Sequence, residues 1–370
     1  MTVRLPRSQR DPGRMLAEGW RGRHHGVAVA LERAEIVLPA RGRFSLRATV
    51  LSRDHLTLPA FRWRDGARPL LERAEELPGG SVFLLSIRPH ASGVVLRATG
   101  EDASEIEVLA PLAARVRRAL DLDLDLAAFH RLCRSDPLLR RVASLGAGRL
   151  LRGTSLFEDV VNAVAPGIGD AAAAARIAAL GRRCPAAPEL RAFPEPRALA
   201  RMAIRRLDER TGLGSRARVL SAIATLHPDP LEHLPRRRLS AQLARIAGVD
   251  RATLAWLMLL LGHHDRPVLD RAAFRFATLA FGPGRSSDST FGRRIARWRP
   301  WRGLALWWAQ WLETPAAVRL GGEATNLRTR RRLPSDPDRR DDRTRDRGMR
   351  RSPKPEARTP PPRSRGAGRR

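Results

Sequence analysis

The chain has 370 residues, 43% of them hydrophobic, enough for two or three domains with a real core; no run of about 18 apolar residues is present, which argues against a helical membrane span and a membrane partner. The first 20 residues lack the apolar stretch of a secretory signal, and Cys133 and Cys184 are too few for a disulfide framework, an all-cysteine zinc site or an all-cysteine iron–sulfur cluster, so a cytoplasmic protein without a redox cofactor is expected. Lys and Arg total 69 against 38 Asp and Glu, a formal charge of +31 that points to a polyanionic partner.

Residues 1–25 are polar, Arg-rich and aperiodic, and read as a disordered arm. Short alternating or β-branched runs follow. Residues 26–38, 43–51, 81–87, 93–100 and 105–109 read as strands, with a hairpin turn at His90-Ala91-Ser92-Gly93. They predict a small antiparallel β-rich domain over 26–111. After Pro111 helical periods take over: PLAARVRRALDL, LAAFHRLCR, FEDVVNAV, LSAQLARIAG, RATLAWLMLLLG, DRAAFRFATLAF and RGLALWWAQWLE are each about one helix long, with Gly, Pro, Ser or Asp at most joints. About ten such helices predict an all-α domain over 112–315, and the fold class is α+β. Residues 316–370, rich in Arg, Pro and Asp, read as a disordered basic tail.

The tail does not account for the charge. Residues 321–370 carry 17 basic and 7 acidic residues, or +10, which leaves +21 on the rest. Lys354 is the single lysine, a bias that explains Arg in place of Lys but not the shortage of acids. The body is basic in its own right, as nucleic-acid binding requires.

Residues 239–276 carry the most specific pattern. Two helices flank the turn Ala247-Gly248-Val249-Asp250. A glycine there lets the chain turn closely and expose N–H groups at the start of the second helix, where phosphate binds without base readout. Arg251 stands beside it, and Asp270 opens the next helix after a Pro-containing loop.

The order helix, glycine turn, helix, loop, Asp, helix resembles the helix-hairpin-helix DNA glycosylase superfamily, in its 3-methyladenine DNA glycosylase II-like branch. Ile246 to Leu254 fill the places of the family hairpin Leu-Pro-Gly-Val-Gly-Pro-x-Thr-Ala, and Gly262-His263-His264-Asp265-Arg266-Pro267-Val268-Leu269-Asp270 is similar to the loop that follows. The segments GAGRLLRGTSLFEDVVNAV, GLGSRARVL and RPWRGLALWWAQW also look like family segments, and the likeness runs over roughly 26–313. The sequence departs at Asp250, where the family has a second glycine, at Ala165-Pro166-Gly167-Ile168-Gly169, at Pro267, one place earlier than usual, and at Arg271 in place of a hydroxyl residue.

The resemblance implies a monofunctional DNA N-glycosylase of base-excision repair acting on alkylated, 3-methyladenine-like bases. Asp270 is the implied catalytic carboxylate, stabilising the oxocarbenium character that builds on the sugar. Gly248, Val249, Arg251, Thr253 and Arg216 are the expected DNA contacts. The base must leave the stack, and Trp301, Trp307, Trp308 and Phe157 are the aromatic candidates to receive it. The expected partner is double-stranded DNA containing damaged bases; no protein partner is readable. A monovalent cation at the hairpin carbonyls is implied by the family alone.

Plainer readings stand beside these. Asp270 is a natural helix N-cap, Gly248 also fits a helix C-cap, and tryptophans at helical spacing are more often core residues than pocket walls. His263-His264-Asp265 are adjacent and point in different directions, with no further ligand cluster, so no metal site is expected. The rival function is a non-catalytic DNA-binding module of the same fold, recognising damaged or distorted DNA; an RNA-binding protein using the same surface is a third.

Overall fold

The sheet starts with strand β1 (Glu32–Pro39), which is followed by a short helix α1 (Leu46–Leu51) and four strands in succession: β2 (Phe61–Arg64), β3 (Leu70–Glu76), β4 (Val82–His90) and β5 (Gly93–Gly100). The computed structural model describes residues 31–53, 60–165, 171–282, 288–314 and 317. The expected arm over 1–25, residues 26–30 of the first expected strand, and all of the expected tail except Ala317 lie outside the described residues. The five strands pair antiparallel in the order β1-β5-β4-β3-β2, the antiparallel α+β arrangement expected from the sequence. The hairpin turn falls where the sequence places it: His90 pairs with Gly93 across the two residues Ala91 and Ser92.

One face of the sheet buries Ile36, Leu38, Leu71, Phe83, Leu85, Ile87, Val94, Leu96 and Ala98. Helix α2 (Ile106–Leu120) lies against it through Leu109, Leu112, Ala113, Val116 and Leu120, an apolar stripe at steps of three and four. This corrects two strand assignments. Residues 105–109 alternate like a strand but open α2, which runs through Pro111 without a break because the buried stripe continues on both sides. Residues 43–51 hold α1: Ser45 caps it by accepting the Ala48 N–H, and Leu46, Val50 and Leu51 are buried. Packing and a local cap outweigh the β-preference of Thr49 and Val50.

Two strands of this sheet were not read from the sequence, nor was the short hairpin of residues 183–191, which interrupts the segment expected to be all-α. β3 is buried along its whole length although it holds Glu72, Arg73, Glu75 and Glu76. Its Arg73 meets Glu158 and its Glu75 meets Thr154, while Ala74 packs on its other side against residues Cys184 and Ala187. β2, at the sheet edge, places Arg62 opposite Glu72.

The helical part continues with α3 (Ala127–Ser135), α4 (Arg140–Ser144), α5 (Leu156–Val164) and α6 (Ala171–Ala178). A hairpin of β6 (Arg183–Cys184) and β7 (Ala187–Arg191) then covers β3, through Cys184 and Ala187 against Ala74 and Val82. Next come α7 (Pro196–Ala200), α8 (Ile204–Thr211), α9 (Arg216–Leu226), a 3-10 turn (Asp229–His233), α10 (Arg236–Leu243), α11 (Arg251–Leu260), α12 (Arg271–Phe281), α13 (Asp288–Ala296) and α14 (Arg302–Trp311). α5, α9, α10 and α11 share a core that includes Leu156, Val160, Leu220, Leu243, Leu257 and Met258. Among the described residues no helix is long and apolar enough to cross a membrane.

Sheet and helices are joined by buried ion pairs. Glu158 of α5 takes both ends of the Arg73 guanidinium at 2.9 Å, with Thr154 at 2.8 Å from the same arginine. Arg73 and Glu158 are each about 1% exposed. Asp159 accepts from Arg118 of α2 at 2.9 Å and from the Gly153 N–H. The Glu-Asp pair of the FEDVVNAV segment thus ties the sheet to the helices.

Candidate active site and nucleic-acid interface

Helices α10 and α11 and the turn between them form the helix–hairpin–helix unit. Leu239 and Leu243 of α10, Ile246 of the turn, and Leu254, Leu257 and Met258 of α11 bury into the shared core. Within the turn the Ile246 carbonyl accepts the Val249 N–H at 3.1 Å. Gly248 has φ +85°, and a Cβ there would stand 2.6 Å from Val164 Cγ1 of α5. Glycine is required on both counts, by the left-handed backbone and by the approach to α5. α10 ends at Leu243 with Ala244 as its C-cap, so Gly248 is a turn residue and not the end of the helix.

The start of α11 is already occupied. Asp250 is its N-cap, and Oδ1 accepts the Thr253 N–H at 2.7 Å. That bond, with the hydroxyl of Thr253 as a second donor, holds the Asp250 carboxyl below its ordinary range, so a fixed negative charge sits at the exposed turn. Of the expected DNA contacts, Gly248 and Arg251 are exposed, Val249 packs against the core, and the Thr253 N–H is spent on Asp250. Arg216 is exposed at the first position of α9.

The loop from Gly262 to Asp270 is clamped to the start of α14. The His264 carbonyl accepts from the N–H groups of Gly303 at 2.7 Å and Leu304 at 3.2 Å. Asp265 takes Arg302 through both carboxylate oxygens at 2.8 Å, which keeps its carboxyl below the ordinary range. A Cβ on Gly303 would lie 2.2 Å from the Arg266 carbonyl, so the helix start needs glycine for this approach. The His264 ring stacks on Trp301 with centroids 5.1 Å apart, and burial pushes its pKa down to about 4. Arg266 reaches back to Ser240 Oγ of α10 at 3.4 Å.

Asp270 emerges from this clamped loop as the exposed N-cap of α12, accepting the Ala273 N–H at 2.8 Å. It stands in sequence between Leu269 and Phe274, both of which line an open cleft of about 460 Å³. The other walls are Asp250, Arg251, Ala252 and Ala255 of the hairpin side and Arg266 and Pro267 of the loop. A carboxylate at a fixed position beside a cleft can stabilise positive charge developing on a bound group.

The four aromatic candidates separate. Trp308 is completely buried, its ring edge-on to Trp311 at 4.9 Å. Phe157 is 1% exposed and packs edge-on against Phe193. These two are core residues and present no face to a base, which corrects the sequence reading; both lie on the inward stripe of their helices. Trp301 is half-buried between His264 and Phe129. Trp307 is half-buried, donates its indole N–H to the Ser52 carbonyl at 3.0 Å and stacks on Trp256 of α11 at 4.3 Å. The Arg53 guanidinium lies over Trp256 at 4.9 Å. Trp256 was missed in the sequence; its signal is a lone aromatic, half-buried, in an otherwise buried aliphatic helix.

No protein-family model matches the sequence, and no curated protein matches it. Solved structures do. A 3-methyladenine DNA-glycosylase from Archaeoglobus fulgidus superposes with a TM-score of 0.59 at 18% identity, over 76% of this chain and 97% of that one. The structure of MBOgg1 in complex with a low affinity DNA ligand superposes with a TM-score of 0.50 at 14% identity, over 71% of this chain and 99% of that one. At these identities the likeness is one of architecture: this chain has the fold of these solved DNA glycosylases, over nearly the whole length of each.

Proposed function

We propose that this chain is a monofunctional DNA N-glycosylase that removes alkylated, 3-methyladenine-like bases from duplex DNA. The observation that carries the reading is Asp270: an exposed carboxylate on a loop held at three points by α14, beside a glycine turn and a cleft, in a chain with this fold. An alkylated purine carries positive charge and leaves readily. Breaking its glycosidic bond builds oxocarbenium character on the sugar, which the Asp270 carboxylate stabilises while water attacks. DNA closing over the site excludes bulk water and strengthens that interaction. The outer faces of Trp307 and Trp301 are the aromatic surfaces offered to an extruded base.

Hydrolysis of this bond needs water and no redox cofactor. The proposal extends to a monovalent cation at the turn, where Gly248 is exposed and the Asp250 carboxylate stands beside it. A cation against the turn carbonyls would offset that charge and link the turn to a phosphate.

The test is release of free base from alkylated duplex DNA by the purified chain, beside Asp270→Asn. Asparagine caps a helix as well as aspartate, so the variant keeps its fold. Its base release is expected to fall by about 10²–10³ with DNA binding retained. Equal release by both proteins removes Asp270 from the mechanism. A second reading, a non-catalytic module that recognises damaged or distorted DNA, is favoured by one observation: the carboxylates of Asp250 and Asp270 both serve as N-caps. Binding without release by the unaltered chain would select it.

A further inference from the structure

The first turn of α10 carries Arg236, Arg237 and Arg238 in succession, all exposed. No acidic residue lies in that turn, and the cap residue is Pro235, which offers no side-chain oxygen. The acids just upstream are committed elsewhere. Asp229 accepts the Phe157 N–H at 2.6 Å, and Glu232 takes Arg118 at 2.8 Å and Arg152 at 3.8 Å. Among the described residues no carboxylate pairs with any of the three arginines. They are like charges placed at the positive end of a helix, an arrangement that is unfavourable until an anion arrives.

This patch belongs to the same body as the candidate site. Arg236 is close enough to His263, in the loop leading to Asp270, to add to the effect of burial in keeping that ring neutral. Arg266 of the same loop bonds Ser240, one turn along α10. Successive helix positions are about 100° apart, so three arginines fan over about 200° of the helix surface. They reach several phosphates along a backbone and do not converge on one small anion. The start of α11, by contrast, is filled by the carboxylate of Asp250.

We infer that the arginines at the start of α10, and not the N-terminus of α11, form the main backbone-phosphate contact of the helix–hairpin–helix unit in this chain. The inference rests on the reading of the chain as a duplex-DNA-binding protein. It departs from that reading in where the grip lies: the turn holds register, and the arginines supply the counterion-releasing contacts.

The test is a salt titration of binding to undamaged duplex DNA by the full chain, by Arg236→Gln/Arg237→Gln/Arg238→Gln, and by a charge-matched control in the sheet region, Arg33→Gln/Arg68→Gln/Arg88→Gln. The α10 variant is expected to reduce the slope of log affinity against log salt by about 2–3. Its melting temperature should hold or rise, since three like charges leave the positive helix end, which a merely structural role would not give. Asp250→Asn, which keeps the cap, is expected to tighten binding. An unchanged slope in the α10 variant, or an equal change in the control, overturns the inference while DNA binding and base release by the unaltered chain stand. No DNA binding by the unaltered chain sinks both readings. Weakened binding to double-stranded RNA but not to DNA would reassign the patch to RNA and overturn the inference as well.

Discussion

Three side chains of the loop and the turn are fixed by local bonding or by burial. Asp250 and Asp270 have the same capping geometry, an Oδ1 accepting the N–H three residues on at 2.7 and 2.8 Å. His264 is the reverse case, a ring kept neutral by burial against Trp301. Its folded pKa of about 4 lies below the unfolded value of 6.5. A depressed histidine pKa means that the unfolded chain binds the proton more readily. The contribution of His264 to stability is therefore complete above about pH 6.5 and lost as pH falls toward 4, on the order of 2–3 kcal/mol. His264→Phe keeps an aromatic ring on Trp301 and removes the titration. Urea denaturation at pH 7 and pH 4.5 is expected to show a drop in stability smaller by that amount in the variant; an equal drop would mean that the ring is already charged or solvated in the fold.

At the scale of elements, the loop and the sheet are each fixed by ion pairs of different depth. The Asp265–Arg302 pair is partly exposed, at 31% and 22%, and contributes at most about 1 kcal/mol to stability. Its task is position. Arg302→Ala is expected to leave the melting temperature nearly unchanged and to lower the rate of base release about tenfold, because a small displacement of a catalytic group is costly. Unchanged release would show that the backbone bonds of Gly303 and Leu304 to His264 hold the loop alone. The Arg73–Glu158 pair joins β3 to α5 with both partners buried. Glu158→Ala leaves Arg73 facing Glu75 alone in a dry site. A loss of about 3–5 kcal/mol is expected, read as a fall in the denaturation midpoint. A loss below about 1 kcal/mol would mean that water replaces the carboxylate.

For the whole molecule, the amine inventory limits the chemistry. Glycosylases that also cut the strand attack the sugar with an amine, usually a lysine, forming a Schiff base. Lys354 is the only lysine in the chain, and neither the hairpin turn nor the first turn of α11 holds one. Arginine does not substitute, because its guanidinium stays protonated. Base release is therefore expected to leave an intact abasic site, cut only on adding alkali, and borohydride is expected to trap no covalent protein–DNA adduct. An adduct that persists in Lys354→Ala would contradict this and direct attention to the N-terminal amine.

What the sequence determined by itself is local. The turn glycine at 248, the capping aspartate at 270, the hairpin at 90–93 and most helices depend on neighbours within about four residues, where periodicity and capping act. The excess of arginine was equally plain. Tertiary structure decided the rest. β3 reads as a charged surface segment because Leu70–Glu76 holds four ionisable residues; it is a buried strand because Glu158, 85 positions away, neutralises Arg73. Residues 43–51 and 105–109 suit a strand locally; packing against the sheet, joined in the first by the Ser45 cap, makes them helix. The same holds for the tryptophans. Three tryptophans and Phe157 stood as candidates in the sequence, and burial by partners distant in sequence assigned Trp308 and Phe157 to the core while leaving Trp301, Trp307 and the unforeseen Trp256 with half-buried rings. Burial is a property of the assembled surface, and no window of sequence contains the residues that create it.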